Sequence, residues 1–171
     1  MDKIKKSGEL KGDLAGLPEG FRAPSGAAEK QFKNNLENIS RRIASMLRLL
    51  NDALEDMEKV KKMRAKASKR WQANYDFMLA RLQAQIAYLY EYQSMLGQMR
   101  KEFPRRDPEV HGGWRLASQT ELTGDAKGKR LAKNSRKLLD QMVKEHAGTP
   151  WEVLAKREKL TALGLEWKPT R

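Results

Sequence analysis

Residues 32–60, FKNNLENISRRIASMLRLLNDALEDMEKV, decide the fold because their apolar side chains recur at alternating steps of four and three residues. This seam consists of Phe32, Leu36, Ile39, Ile43, Met46, Leu50, Ala53, Met57 and Val60. A heptad pattern sustained over this length predicts a long α-helix with coiled-coil-like packing. Leu47, Leu49 and Leu54 widen the apolar stripe, so we expect this helix to contact more than one neighbour.

A second seam begins at Trp71 and continues through Tyr75, Leu79, Leu82, Ile86, Leu89, Gln93 and Leu96. Its first two steps are both four residues, which breaks the heptad phase. Two interpretations follow: a stutter in one very long helix, or a turn near 64–69 with Ser68 as the N-cap of a second helix. The ranges 25–63 and 69–103 are nearly equal in length, which favours an antiparallel hairpin, although no glycine or proline marks a turn.

Cap and turn residues place the elements that follow. We expect a third helix at about 126–146, with Gly148 as its C-terminal cap. The run Thr149-Pro150-Trp151-Glu152 has the pattern of a capping box and predicts a short helix from 150 to about 160. Residues 104–125 are expected to form a loop.

The predicted fold is therefore all-α. A long antiparallel coiled-coil-like hairpin, one longer helix and one short C-terminal helix form a bundle domain at 25–171, after a flexible basic tail at 1–24. The chain of 171 residues suits one domain. Its 39% apolar and 33% charged residues suit long helices with a narrow apolar stripe.

Composition excludes several classes of protein. The sequence has no cysteine, which excludes a disulfide framework, a thiolate nucleophile and a cysteine-ligated zinc ion. No apolar run approaches the roughly 18 residues of a membrane span, and the charged N-terminus lacks the apolar segment of a signal peptide. We therefore expect a cytoplasmic protein without a membrane span.

One dense basic block is the candidate polyanion-binding site, in a chain of net charge +13. It consists of Lys59, Lys61, Lys62, Arg64, Lys66, Lys69 and Arg70, with no acidic residue among them. Such a block attracts nucleic acid, anionic lipid or an acidic partner; the alternative is a solvated helix end that keeps the protein soluble. Trp71 and Tyr75 follow on one helical face, where aromatic rings can stack bases, but their place in the seam favours packing.

Other kinds of site lack the pattern that they need. His111 and His146 lie far apart without flanking ligands, so no metal site is predicted. The run 124–130 (GDAKGKR) departs from a phosphate-binding loop in its glycine spacing and has arginine where serine or threonine is needed. Asp76 and Glu91 lie beside apolar residues, but acid–base catalysis needs a paired group in a pocket. We expect no catalytic, cofactor-binding or metal-binding residue, no small-molecule substrate and no enzyme activity.

Four segments carry a resemblance to known proteins: 70–76 (RWQANYD), 88–92 (YLYEY), 113–116 (GWRL) and 145–158 (EHAGTPWEVLAKRE). Through them, about 69–168 resembles the C-terminal helical region of large uncharacterised bacterial proteins, some with a von Willebrand factor A-like domain. The segment G-T-P-W-x-x-L-A is also similar to the end of tetratricopeptide-like repeats. The metal-ion adhesion motif D-x-S-x-S is absent from this sequence, so that domain's activity is not implied. Both resemblances imply an interaction or scaffold module.

These observations lead to two hypotheses of function. The first is a non-catalytic protein-interaction or scaffolding module that binds a protein partner or associates with itself. The alternative is a nucleic-acid-binding protein that uses the basic block at 59–70. The two differ in their response to salt, because phosphate contacts release counterions, whereas burial of apolar helix stripes is much less sensitive to salt.

Overall fold

The computed structural model describes residues 16–171, which form four α-helices and a small three-stranded sheet. The elements are β1 (Gly20–Arg22), α1 (Glu29–Arg64), α2 (Lys69–Lys101), β2 (Gly113–Gln119), α3 (Ala126–Glu145), α4 (Pro150–Lys159) and β3 (Gly164–Thr170). Within these residues, none of the helices contains an apolar stretch that would traverse a bilayer. The cytoplasmic location stays a prediction.

The first two helices lie antiparallel, joined by a short turn at 65–68. The Tyr75 hydroxyl on α2 donates to the Met57 carbonyl on α1 at 2.9 Å. Near the opposite end of the pair, Arg100 forms an ion pair with Glu37 at 3.5 Å. The break in heptad phase therefore corresponds to a turn, and one continuous helix is excluded.

The heptad seam of α1 is buried over only part of its length. Its members from Leu36 to Leu50 are enclosed, whereas Ala53 and Val60 are exposed. Pairing with α2 thus leaves the last turns of α1 partly uncovered. The C-terminal part of α1 is left with apolar side chains in contact with water.

Helix α2 is the central element, because it packs against α1, α3 and the sheet. Ala73, Ala80 and Ala87 recur every seven residues along it, and all three are completely buried. Their small side chains let α3 approach closely enough for the Ser135 hydroxyl to donate to the Ala80 carbonyl at 2.7 Å. The contact is dry, since both residues are enclosed.

The connection between α3 and α4 has the predicted glycine and proline positions, but the predicted capping box does not form, because the Thr149 hydroxyl donates to the His146 carbonyl at 2.6 Å and makes no cap hydrogen bond to α4. Gly148 adopts a φ of 75°, a conformation that glycine accepts at little cost and that ends many helices. Pro150 occupies the first turn of α4, and the Glu152 carboxylate accepts a hydrogen bond from the Gly148 amide at 2.7 Å. Helix α4 then packs on α2 through Trp151 and Phe77, whose ring centroids are 6.0 Å apart.

The described chain is mostly helical, as the sequence predicts, but a small three-stranded sheet is added to the helices. Its antiparallel strands lie in the order β1-β2-β3, so the region 104–125, predicted as a loop, supplies the central strand. In the register, Trp114 lies between Phe21 and Pro169. These partners are distant in sequence, so no local pattern indicates their pairing.

Aromatic side chains attach the sheet to the open end of the hairpin. The Phe21 ring lies 5.6 Å from Phe32 of α1 and 5.5 Å from Trp167 of β3, and the Trp167 indole donates to the Met95 carbonyl of α2 at 3.0 Å. The predicted flexible tail at 1–24 is therefore wrong for residues 16–24, where Leu17 is also buried. Residues 1–15 lie outside the described part of the chain.

We expect Gly113→Ala to destabilise the protein by about 3 kcal/mol, as overpacking against rigid atoms does. A Cβ at this position would lie 2.1 Å from the Phe21 carbonyl oxygen, which belongs to the backbone of β1. Gly97→Ala is the control, because the space around this helical glycine is open and alanine there should stabilise by about 0.5–1 kcal/mol. Urea denaturation measures both, and equal stability of the two variants would contradict the register of β1.

Candidate binding surface at the hairpin end

Residues 59–71, here called the hairpin end, contain the whole basic block and the turn between α1 and α2. Six members of the block are exposed: Lys59, Lys61, Lys62, Lys66, Lys69 and Arg70. The turn is closed by backbone hydrogen bonds and by the Gln72 side-chain amide, which donates to the Ala67 carbonyl at 2.8 Å. The structure thus presents most of the block to solvent on both sides of one turn.

Two of these cations have acidic neighbours one helical turn earlier. Lys59 pairs with Asp56 at 3.1 Å, and Lys61 pairs with Glu58 at 3.6 Å. The hydrogen bond from Lys59 to Asp56 raises the pKa of that lysine. The other four, Lys62, Lys66, Lys69 and Arg70, form no ion pair within residues 16–171. They leave positive charge available to an external anion.

Three large apolar side chains are exposed among these cations. Val60 is 45% exposed, Met63 is 68% exposed and Trp71 is 66% exposed. The expectation that Trp71 packs in the apolar seam is wrong. Tyr75, one turn later, is half-buried and hydrogen-bonded to α1. Large apolar residues gathered on a charged surface are typical of a binding site.

Arg64 is the member of the block that faces inward. Its guanidinium binds Asp76 through two hydrogen bonds, from Nε to Oδ1 at 2.6 Å and from Nη2 to Oδ2 at 2.5 Å. Nη2 also donates to the Glu145 carboxylate of α3 at 3.1 Å. The predicted polyanion-binding role is therefore wrong for Arg64, because its charge is occupied by two carboxylates of the same chain.

This cluster joins three helices at one point. The hydrogen bond to Asp76 raises the pKa of Arg64, so the guanidinium stays charged. The pKa of Glu145 is lowered, first by a hydrogen bond from Gln141 and further by Arg64. Since Asp76 is buried, the guanidinium beside it offsets the free-energy cost of enclosing a carboxylate.

The same cluster brings together residues that could hold a metal ion. Ligand atoms of Asp76, Glu145 and His146 all lie within 4.8 Å of one another. The sequence does not indicate this group, because Asp76 is on a different helix from Glu145 and His146. The spacing of these residues along the chain therefore gives no sign that they lie close together.

A cleft of about 460 Å³ opens between the last turns of α1 and the exposed side of α3. Its floor is formed by Tyr75, Asp76 and Leu79 of α2, and its rims carry Lys61 and Lys137. The cleft gives solvent a path to Asp76 and Arg64. It is mixed in character, because cations and side-chain amides line it together with the Asp76 carboxylate and the apolar side chain of Leu79.

A second basic surface escaped the sequence analysis. Helix α3 exposes seven cations: Lys127, Lys129, Arg130, Lys133, Arg136, Lys137 and Lys144. Their density within one predicted helix was the available signal in the sequence. Lys137 brings this surface to the rim of the cleft.

Two other motifs have structural roles. The buried Glu91 carboxylate accepts hydrogen bonds from the amides of Thr123 and Gly124, at 2.8 and 2.7 Å, and from the Thr123 hydroxyl at 2.9 Å. Asp125 caps α3 by accepting from the Gly128 amide at 2.7 Å. The glycine-containing run at 124–130 is thus the start of a helix, anchored by a carboxylate where a phosphate loop would need a free anion site.

No family model, curated protein or solved structure matches this chain. The resemblance to the helical region of large bacterial proteins stays a prediction.

We expect Arg64→Met to lower the free energy of unfolding by about 3 kcal/mol, because it leaves the Asp76 carboxylate buried without a cation. Lys61→Met is the matched control. It removes an exposed ion pair, which should change stability by less than about 0.5 kcal/mol. Urea denaturation at neutral pH compares the two, and similar losses would show that the Arg64 cluster does not anchor the hairpin end.

Proposed function

We propose that this protein is a non-catalytic interaction module whose hairpin end binds an acidic, partly apolar segment of a partner protein. The observation that carries the proposal is the exposure of Trp71, Met63 and Val60 among six exposed cations. A partner complementary to this surface needs carboxylates and apolar side chains in the same segment.

The apolar side chains favour a protein over a simple polyanion. Tryptophan and methionine are enriched in the buried centres of protein interfaces, and methionine adapts its shape to a partner. Phosphate contacts to the surrounding lysines would leave Val60 and Met63 in water. A polypeptide with leucine or aromatic residues would cover them, at about 25 cal/mol for each Å² of apolar surface removed from water.

The cations give the surface its preference for acidic segments. Lys62, Lys66, Lys69 and Arg70 have no ion-pair partner within the described chain, so their charge is free to steer a carboxylate-rich partner into contact. Two copies of the same end would repel each other. We therefore propose a different chain as the partner, and not self-association through this end.

Selection of short random peptides displayed on phage, with the intact protein as target, tests this proposal. We expect enriched peptides to combine aspartate or glutamate with tryptophan, phenylalanine or leucine. Replacement of Lys62, Lys66, Lys69 and Arg70 by glutamine should weaken their binding at least ~10-fold, and Trp71→Ala should weaken it about 30-fold, as for a central interface tryptophan.

The control removes the same charge from another surface. Replacing Lys129, Lys133, Arg136 and Lys144 of α3 by glutamine takes away three lysines and one arginine, all exposed. Peptide affinity should be retained in this variant. An equal loss in both variants would show that binding is non-specific charge attraction and would contradict the proposal, as would a selection without enrichment.

Single-stranded nucleic acid is the second candidate, favoured by the exposed ring of Trp71 beside the basic block. Bases stack on exposed aromatic rings with a stabilisation of about 1–3 kcal/mol each. This candidate predicts a gel shift of an oligothymidine strand at ~50 mM salt that disappears at higher salt. The shift should also require both Trp71 and the lysines at 59–69. No shift by the wild-type protein would remove this candidate.

A further inference from the structure

The cluster at the base of the cleft contains a histidine whose hydrogen bonding is incomplete. His146 ends α3, where its amide donates to the Met142 carbonyl at 3.0 Å. Its side chain is 6% exposed, and Nε2 is enclosed without a hydrogen-bond partner among the described residues. An enclosed nitrogen without a partner costs free energy, and a neutral imidazole nitrogen is a common metal ligand.

Two carboxylates stand beside this imidazole. One ring nitrogen of His146 and one oxygen each of Asp76 and Glu145 lie within 4.8 Å of one another. Asp76 is buried and Glu145 is at the surface, so the group is enclosed on one side and open on the other. A nitrogen and two carboxylate oxygens form a ligand set that suits zinc and related divalent ions.

In this structure the guanidinium of Arg64 lies next to the two carboxylates. Its guanidinium binds both Asp76 and Glu145 and offsets one of their two negative charges. A divalent cation would supply two positive charges and would also bind the imidazole nitrogen. That nitrogen cannot accept a hydrogen bond from the carboxylates of Asp76 and Glu145, because carboxylates have no proton to donate. Arg64 would then be released toward the cleft that it lines with Asp76.

We propose that Asp76, Glu145 and His146 bind a divalent transition-metal ion, of which Zn²⁺ is the chemically best suited, in exchange for the guanidinium of Arg64. The three protein ligands leave one position of a tetrahedral ion for water. The cleft provides the path by which the ion reaches Asp76. The three ligands lie outside the hairpin end, so zinc binding can be measured without changing Trp71 or the exposed lysines.

Calorimetric titration of the intact protein with zinc chloride tests the site. We expect one equivalent to bind, and His146→Gln and Glu145→Gln each to weaken binding at least ~10-fold, as loss of a metal ligand or its support does. His111→Gln is the matched control, because it removes the other histidine of the chain and should leave the affinity unchanged. Absence of zinc binding by the wild-type protein, or equal loss in both histidine variants, would overturn the proposal.

If zinc displaces Arg64, removal of the Arg64 side chain should change the zinc affinity in a predictable direction. Arg64→Met removes the competing cation, so zinc should bind more tightly to this variant than to the wild type. Because the metal also compensates the buried Asp76 carboxylate, zinc should raise the thermal midpoint of Arg64→Met more than that of the wild type. Weaker binding by a folded Arg64→Met protein, judged by its circular dichroism, would show that Arg64 supports the cluster and does not compete for it.

Discussion

The rest of the structure depends on burial of the apolar side chains that α2 presents on nearly all of its sides. Its buried residues include Leu79, Ile86 and Leu89 together with the alanines that face α3, so a single neighbouring helix would leave much of its apolar surface in water. Helix α1 covers one side, α3 covers a second, and the sheet covers the end near Tyr92 and Met95. Burial of this one helix therefore organises elements that are far apart in the sequence.

The covering is complete at the open end of the hairpin and incomplete at the closed end. At the open end, Phe21, Phe32 and Trp167 join β1, α1 and β3 into one aromatic cluster. At the closed end, polar contacts from Arg64 to Asp76 and from Tyr75 to Met57 join α1 to α2. This asymmetry leaves Val60, Met63 and Trp71 exposed at the closed end, and these are the side chains to which we propose that a partner binds.

Arg64 shows how tertiary structure changes the meaning of a residue. In the sequence it is one of seven cations in a run, and nothing local distinguishes it from Lys62 or Lys66. In the structure its charge is used inside the protein, while the neighbouring lysines keep theirs for the solvent. The cluster around it also places His146 beside two carboxylates, an arrangement that depends on three helices meeting.

The sequence by itself determined the helices, because heptad spacing, Gly148 and Pro150 act through contacts within a few residues. It left open whether a turn divides the first two helices, since no glycine or proline lies between them. It also indicated the basic block. Tertiary structure alone decided the three strands, the exposure of Trp71 and the meeting of Asp76 with Glu145. Strand pairing such as Phe21 with Trp114 depends on partners distant in the chain, and exposure depends on whether another element covers a residue. Neither strand pairing nor exposure has a local signal in the sequence, because both are established only when the whole chain has packed around α2.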